Sequence, residues 1–182
     1  MAHARRKFKD AQKAQPKGKT GKADMALNFI AKLYAVEKET QGDDAAMRLD
    51  LRQAKSTMIL GEFHQWLIQA QQQVPPKTIV GKAVNYTLEY WQELTRYIEN
   101  GAWPIDNNLA ENAIRPFVIG RKAWLFSDSQ RGAIGSANLY SLIETAKANG
   151  KEPYHYLSWL FERLPNVKPD QMESLMPWNV SI

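Results

Sequence analysis

The sequence predicts a mainly α-helical protein, and three observations support this prediction. Apolar residues recur with the roughly 3.6-residue period of an α-helix through most of residues 24–100. Helix-ending residues stand where the periodic segments stop, as at Pro75-Pro76 and Asn100-Gly101. Strand-like patterns are confined to residues 117–126. With 182 residues, of which 44% are hydrophobic and 24% charged, the chain has the size and balance of one globular domain.

Three helices are predicted in the first half of the chain. Their expected ranges are 24–42, 43–75 and 78–100. Asp24 is the candidate cap of the first, the second starts at Asp43 or Asp44, and the third opens near Thr78. Gly61 is a candidate break in the second helix. Each apolar stripe needs a partner, so residues 24–100 are expected to form a helical hairpin or a small bundle.

The second half is predicted to be less regular. Pro104 marks a boundary, and the next helix is expected to be short, because Pro116 prevents much extension beyond Arg115. The apolar runs 117–119 and 124–126 favour two extended pieces. Two more helices are expected, at 136–149 and at 153–164, and an extended tail follows them.

Positive charge is concentrated at the N-terminus. The net charge of the chain is +5, yet residues 1–22 contain eight Lys or Arg against Asp10 alone. Such a segment is attracted to phosphate backbones or to anionic lipid. The alternative is a solvated, flexible end, because basic termini are common and carry no sequence code.

Several classes of function are excluded by motifs that the sequence lacks. The chain has no cysteine, which rules out disulfides and thiolate metal sites. It also lacks a Gly-rich phosphate loop, a zinc-ligand spacing and a readable Ser/His/Asp arrangement. No secretory signal is present, and no stretch approaches the ~20 apolar residues of a membrane span. We therefore expect a soluble, cytoplasmic protein.

One polar constellation is a candidate site. The stretch DNNLAENAIR, residues 106–115, places Glu111 and Arg115 four positions apart on one face of the expected helix. An ordinary capping motif with an ion pair explains this spacing. A surface that faces phosphate beside a carboxylate also explains it, and Arg121-Lys122 nearby favours this second interpretation.

The same residues resemble a known family. The stretches DNNLAENAIRP (106–116) and GRKAWLF (120–126) are similar to the C-terminal signature of transposases of the insertion-sequence sixty-six (IS66) family. The resemblance continues through LYSLIETAKANG (139–150) to LMPWN (175–179), which is similar to the C-terminal element of that family. At the other end, AHARRKF (2–8) resembles a basic motif of the family, so that nearly the whole chain is covered.

The resemblance implies a catalytic role for one carboxylate. Glu111 would be the Glu of an Asp-Asp-Glu (DDE) triad, and therefore a ligand of the Mg²⁺ ions that such sites use for cleaving and joining DNA. The residues implied in DNA binding are Arg5, Arg6, Lys7, Arg115, Arg121 and Lys122. The implied fold is a helical insertion plus the C-terminal part of a ribonuclease-H-like α/β fold that lacks most of its sheet.

The chain departs from the family pattern at the other two acids. The two aspartates of the triad precede the basic motif in the family, whereas this sequence begins at that motif. We therefore expect the C-terminal portion of a transposase that is inactive alone, so enzyme activity of this chain stays open. A non-catalytic helical module that binds DNA or a transposase subunit is the alternative, and self-association is a further possibility because the missing strands expose helix faces. The expected location is the bacterial cytoplasm, at the nucleoid.

The resemblance also suggests boundaries along the chain. They are a basic arm and loop at 1–23, a helical insertion at 24–101, the final-acid segment of the catalytic domain at 102–143 and a C-terminal element at 144–182.

Overall fold

The structure, a computed structural model, describes residues 1–15, 20–124 and 127–181, with the side chain of Trp124 left aside. The chain divides into two compact units, residues 1–108 and 109–182. All regular structure in the described residues is helical, so the mainly α prediction is confirmed. None of the described helices is both long and apolar enough to cross a membrane.

The basic N-terminal segment forms a helix, α1 (Ala2–Lys13). Its side chains at Ala4, Phe8 and Ala11 are buried, and they lie on one stripe because they are three or four positions apart. α1 packs mainly against α5 (Ile79–Glu89) and α2 (Lys22–Glu39). The first residues are thus an integral part of the core of the first unit.

Helix α2 begins at Lys22 with Gly21 as its N-cap, so the prediction that Asp24 caps a helix from residue 24 was wrong, and Asp24 lies in the first turn instead. Asp24 accepts hydrogen bonds from the backbone N–H of Gly21 and from the amide of Gln12. Both hydrogen bonds, the one from the Gly21 N–H first, stabilise the ionised carboxylate and so lower the pKa of Asp24. The predicted apolar stripe is confirmed, since Ile30, Leu33 and Val36 are buried.

The second predicted helix is interrupted, but at a different place from the one expected. Asp44 caps α3 (Ala45–Leu51) by accepting from the backbone N–H of Met47 at 2.8 Å. One π-helical turn, Arg52–Ser56, then leads into α4 (Thr57–Gln73). The expected break at Gly61 was wrong, because α4 runs through that residue without interruption.

The third predicted helix is broken near its middle. Thr78 caps α5 by accepting from the N–H of Gly81 at 3.1 Å, so the helix opens where the sequence predicted. The helix ends at Tyr90, and the chain continues as the short α6 (Trp91–Thr95) and a 3₁₀ turn, Arg96–Glu99. No Pro or Gly marks this break, which explains why it was missed.

An aromatic cluster fills the core of the first unit. The Phe63 ring stacks on Phe29 at 5.2 Å between centroids and on Trp66 at 6.1 Å, and it meets Trp91 edge-on at 5.8 Å. Such pairs contribute about 0.5–1.5 kcal/mol each beyond their buried area. The cluster joins α2, α4 and α6.

The first of the two expected extended pieces, residues 117–119, is replaced by a helix. α7 (Asn108–Trp124) continues through Pro116 and includes residues 117–119. The prediction of a strand there was wrong because a short apolar run looks alike in a strand and in a helix. The ring of Phe117 meets that of Tyr140 edge-on at 5.2 Å, a contact that favours the helical continuation. Leu125 and Phe126 of the second piece lie outside the described residues.

The rest of the second unit is also helical. α8 (Gln130–Ala148) begins at the cap Ser129, earlier than predicted, and Gly150 ends it with a φ of +70°. α9 (Pro153–Arg163) follows. The expected extended tail instead contains two 3₁₀ segments, Leu164–Asn166 and Pro169–Leu175. Its residues close a small core, in which the Tyr156 hydroxyl donates to the Leu175 carbonyl at 2.9 Å.

Candidate functional site

Glu111 lies in the first turn of α7 and is partly exposed. An acid at this position is stabilised by the helix dipole. Counting about 100° per residue, Arg115 and Lys122 lie within about 40° of Glu111 around the helix axis, whereas Arg121 lies about 80° away. Arg115, Arg121 and Lys122 are all exposed. One face of α7 therefore carries a carboxylate and two cations over about 16 Å.

The oxygen chemistry of Glu111 suits Mg²⁺, but one carboxylate is a small part of a two-metal site. In residues 1–15, 20–124 and 127–181, no group of three or more His, Cys, Asp or Glu side chains is placed to hold a metal. The residues that the structure describes thus supply at most one ligand of such a site. By themselves, the described residues therefore do not fit a pair of Mg²⁺ ions.

The segment that precedes α7 is held by Asp106. One carboxylate oxygen, Oδ2, accepts from the Tyr34 hydroxyl at 2.7 Å, and the other, Oδ1, accepts from the backbone N–H of Asn108 at 3.1 Å. Burial first, and then the bond to Asp106, raise the pKa of Tyr34, whereas the charge of Arg5 opposes this shift. Tyr34 therefore keeps its proton and fixes the position of the carboxylate.

A groove of about 680 Å³ lies beside this contact, and we call it the α1 groove. It is bounded by α1, by Ala31 and Tyr34 of α2, and by Asp106 and Asn108. Its charged lining residues are Arg5, Arg6, Lys9, Asp10, Lys13 and Asp106. Four cations thus face two carboxylates, and the groove attracts anions.

The structure separates the three cations of the N-terminal motif. Arg5 and Arg6 line the α1 groove, whereas the Lys7 ammonium lies 4.4 Å from the ring centroid of Tyr86, in α5. Lys9 and Lys13, which the sequence interpretation did not single out, line the groove with the two arginines. The signal was present in the sequence, since positions 5, 9 and 13 share one face if the segment is helical.

The second unit has a different kind of concavity. A pocket of about 510 Å³ lies between α7 and α8 and is mostly apolar, with Ile114 and Phe117 on one side and Tyr140 on the other. Its lining is poor in charge, apart from Glu144. This pocket is therefore unsuited to a phosphate, unlike the α1 groove.

Comparison with known proteins agrees with the resemblance seen in the sequence. Residues 1–134 match the model described as the transposase IS66 family, and residues 141–178 match the model of the IS66 C-terminal element. No solved structure matches the chain.

The curated relatives are long proteins from Sinorhizobium fredii. One, "Uncharacterized protein y4qI", is 35% identical over 98% of this chain and 33% of its own length. Another, "Uncharacterized protein y4jD", is 31% identical over 98% of this chain and 35% of its own length. The chain therefore spans about a third of the relatives that it matches.

The family match covers the basic helix α1, the Asp106 contact and Glu111 together. The C-terminal match covers much of the second unit, including α9. The chain belongs to the IS66 family of transposases.

Proposed function

We propose that this chain is the C-terminal portion of a DDE DNA transposase, with Glu111 as the final acid and one metal ligand of the complete protein. The observation that carries the proposal is the charged face of α7, where Glu111 shares a side of the helix with Arg115 and Lys122. A carboxylate beside cations that can neutralise phosphates is one part of what metal-dependent cleavage of a DNA backbone needs.

The remaining acids of the site come, in this proposal, from sequence outside these 182 residues. The described residues contain no second or third carboxylate grouped for a metal, and the relatives are about three times as long. The helices of residues 24–101 would be an insertion, and residues 102–143 would complete a ribonuclease-H-like domain. The chain alone would then neither cleave nor join DNA.

DNA contacts are proposed on both units. Arg115, Arg121 and Lys122 would bind phosphates beside Glu111, and Arg5, Arg6 and Lys7 would add positive charge on α1. Such contacts position a protein on DNA and carry no sequence information. A protein bound in this way would reside at the bacterial nucleoid.

The test uses a complete transposase that contains this segment. We expect Mg²⁺-dependent cleavage at the ends of its element, and we expect Glu111→Gln to lower the cleavage rate by more than about 100-fold, because a metal ligand is lost. Glu162→Gln is the matched control, since Glu162 is an exposed glutamate of α9 outside the charged face. Full cleavage by the Glu111 variant would refute the assignment.

A second candidate is a non-catalytic module that binds DNA or a transposase subunit. The α1 groove favours it, because this basic surface is formed by the first unit alone. In that case the chain binds DNA in a salt-dependent manner, and Glu111→Gln leaves both binding and any transposition activity unchanged. Loss of cleavage in that variant would exclude this candidate as the sole function.

A further inference from the structure

The four cations of the α1 groove lie on one stripe of a helix. Arg5, Lys9 and Lys13 are four positions apart, and they extend over about 12 Å of the helix axis. Along one strand of duplex DNA, about three phosphates fall within that length. The opposite stripe of α1, which includes Ala4 and Phe8, is buried in the core, so the basic stripe is held rigidly.

Within the part of the chain that the structure describes, Lys9 and Lys13 form no strong ion pair. Lys13 lies 3.8 Å from Asp10, and both side chains are well exposed, so this pair contributes at most about 1 kcal/mol. The Lys9 ammonium donates to the Gln12 side chain at 3.0 Å, which leaves further N–H donors. A phosphate oxygen can therefore replace water on both lysines at little cost.

We propose that the α1 groove binds the sugar–phosphate backbone of duplex DNA, with Arg5, Lys9 and Lys13 on successive phosphates. This inference rests on the proposed function and adds Lys9 and Lys13 to the DNA contacts.

Single-stranded DNA fits the α1 groove less well than duplex DNA does. Proteins that bind single strands stack bases on aromatic side chains, and Tyr34, the aromatic residue among the described lining residues, is committed to Asp106.

The experiment measures binding of a labelled duplex of arbitrary sequence to the 182-residue chain by fluorescence anisotropy, over about 50–200 mM salt. For the Lys9→Gln/Lys13→Gln variant, we expect the slope of log affinity against log salt to fall by about 2. The dissociation constant at the lowest salt should rise on the order of tenfold. Both lysines are exposed, so the melting temperature should not change.

The matched control is Lys77→Gln/Lys82→Gln, which removes the same charge from two exposed lysines of the first unit outside the groove. Equal losses in the two double variants would overturn the proposal, because net charge alone would then explain binding. Absence of duplex binding by the unmodified chain at low salt would overturn it too, as would tighter binding of a single strand.

A second readout does not depend on the variants. Acetylation of lysines, followed by mass spectrometry, should show protection of Lys9 and Lys13 by the duplex and none at Lys77 or Lys82. If Lys9 and Lys13 are acetylated equally with and without bound DNA, the proposal that the α1 groove binds DNA is refuted. That result would not affect the proposed role of Glu111 in cleavage by the complete transposase. The proposal for the groove and the proposed function can therefore fail separately.

Discussion

Asp106 is a negative charge at the edge of a basic groove, and its position is fixed by the Tyr34 hydroxyl. The Asp106→Asn substitution keeps an oxygen that can accept one of its two hydrogen bonds but removes the repulsion of phosphate. We expect duplex affinity to rise roughly threefold at about 50 mM salt, and the gain to shrink as salt is added. Anisotropy titrations measure this change.

Asp170→Asn serves as the control for Asp106→Asn. Asp170 is an exposed acid of the 3₁₀ segment in the second unit. Its substitution removes the same charge without touching the groove. Unchanged or weaker binding by the Asp106 variant would show that the carboxylate does not face bound DNA.

Tyr97 makes the first unit sensitive to alkali. Burial is the main cause that raises its pKa to about 12, from about 10 in an unfolded chain. The unfolded state therefore loses this proton first, and the free energy of unfolding falls as pH rises from about 10 to 12. The loss amounts to about 2–3 kcal/mol, and below pH 10 the contribution is constant.

Chemical denaturation at a series of pH values tests this linkage. Tyr97→Phe should show a shallower fall in unfolding free energy between about pH 10 and 12 than the unmodified chain. Tyr90→Phe, at an exposed tyrosine, is the control and should leave the slope as it was. An identical slope in the Tyr97 variant would mean that other groups govern the alkaline limit.

For individual residues, the sequence predicted which charged side chains form a candidate site better than it predicted where those side chains lie in the structure. Four-residue spacing has a defined meaning on a helix, and it placed Glu111 and Arg115 on one face, whereas the role of Glu111 as a metal ligand was implied only by the resemblance to the family. Lys9 and Lys13 were missed because the N-terminal segment was interpreted as an arm, and in an arm the spacing of charges has no geometric meaning. The contact between Tyr34 and Asp106 joins residues 72 positions apart, and no local pattern encodes it.

Arg52 connects several elements of the first unit. Its guanidinium forms two hydrogen bonds with the Glu37 carboxylate, at 2.9 and 2.6 Å, and donates to the Tyr97 and Asn100 carbonyls. Only 1% of the side chain is exposed. Arg52→Met would leave the Glu37 charge without this partner in a mostly buried site, and we expect a loss of about 3–5 kcal/mol of unfolding free energy.

Lys55→Met is the control for Arg52, because it lies in the same π-helical turn and pairs with Glu39 at the surface. Its expected effect in urea denaturation is below about 1 kcal/mol. Similar losses in both variants would mean that disturbance of the turn, and not the buried pair, causes the destabilisation.

Pro116 stands inside α7, where it removes a backbone donor. Pro116→Ala should stabilise the second unit by up to about 3 kcal/mol, since Ala is favoured over Pro in a helix interior by about that amount. Pro153→Ala, at the first position of α9, where proline is tolerated, should change stability little. Thermal unfolding followed by circular dichroism compares them, and destabilisation by Pro116→Ala would imply that α7 needs a bend at that residue.

The starts of α3 and α5 were predicted well, whereas α8 begins at Gln130 instead of residue 136. Asp44 and Thr78 cap α3 and α5 through their own side chains, and this chemistry is local. The break at Tyr90 and the continuation through Pro116 depend on tertiary contacts, such as the pairing of Phe117 with Tyr140. Local rules therefore placed the starts of α3 and α5 correctly, but they assigned the cap of α2 to Asp24 instead of Gly21 and placed the interruptions wrongly.

The arrangement of the whole molecule depends on contacts between distant segments. α1 packs against α5, which lies more than 60 residues further along the chain. Hydrophobic periodicity predicts that each of these helices needs a partner, but it does not predict which one. The same limit explains why the α1 groove could not be foreseen, because α2 and Asp106 complete it.

The two units differ in how much apolar surface they bury. The first has a core built from side chains such as Phe8, Phe63 and Leu67, whereas the core of the second is centred on Tyr156 and Leu160. Several large apolar side chains of the second unit are exposed, among them Leu109, with 80% of its surface exposed. Because burial of apolar surface is the main favourable contribution to folding, the first unit should be the more stable one.

We therefore expect residues 1–108 to fold as a separate protein. For a chain of that length, cooperative unfolding should absorb about 70–80 kcal/mol near the melting temperature, and calorimetry can measure this heat. The fragment should keep the duplex affinity of the α1 groove, because all residues of its lining lie within it. Residues 109–182 should unfold at lower temperature and with less cooperativity. A fragment 1–108 that melts without a cooperative transition would show instead that its core needs the second unit, and the division of the chain after Asn108 would then have no independent thermodynamic meaning.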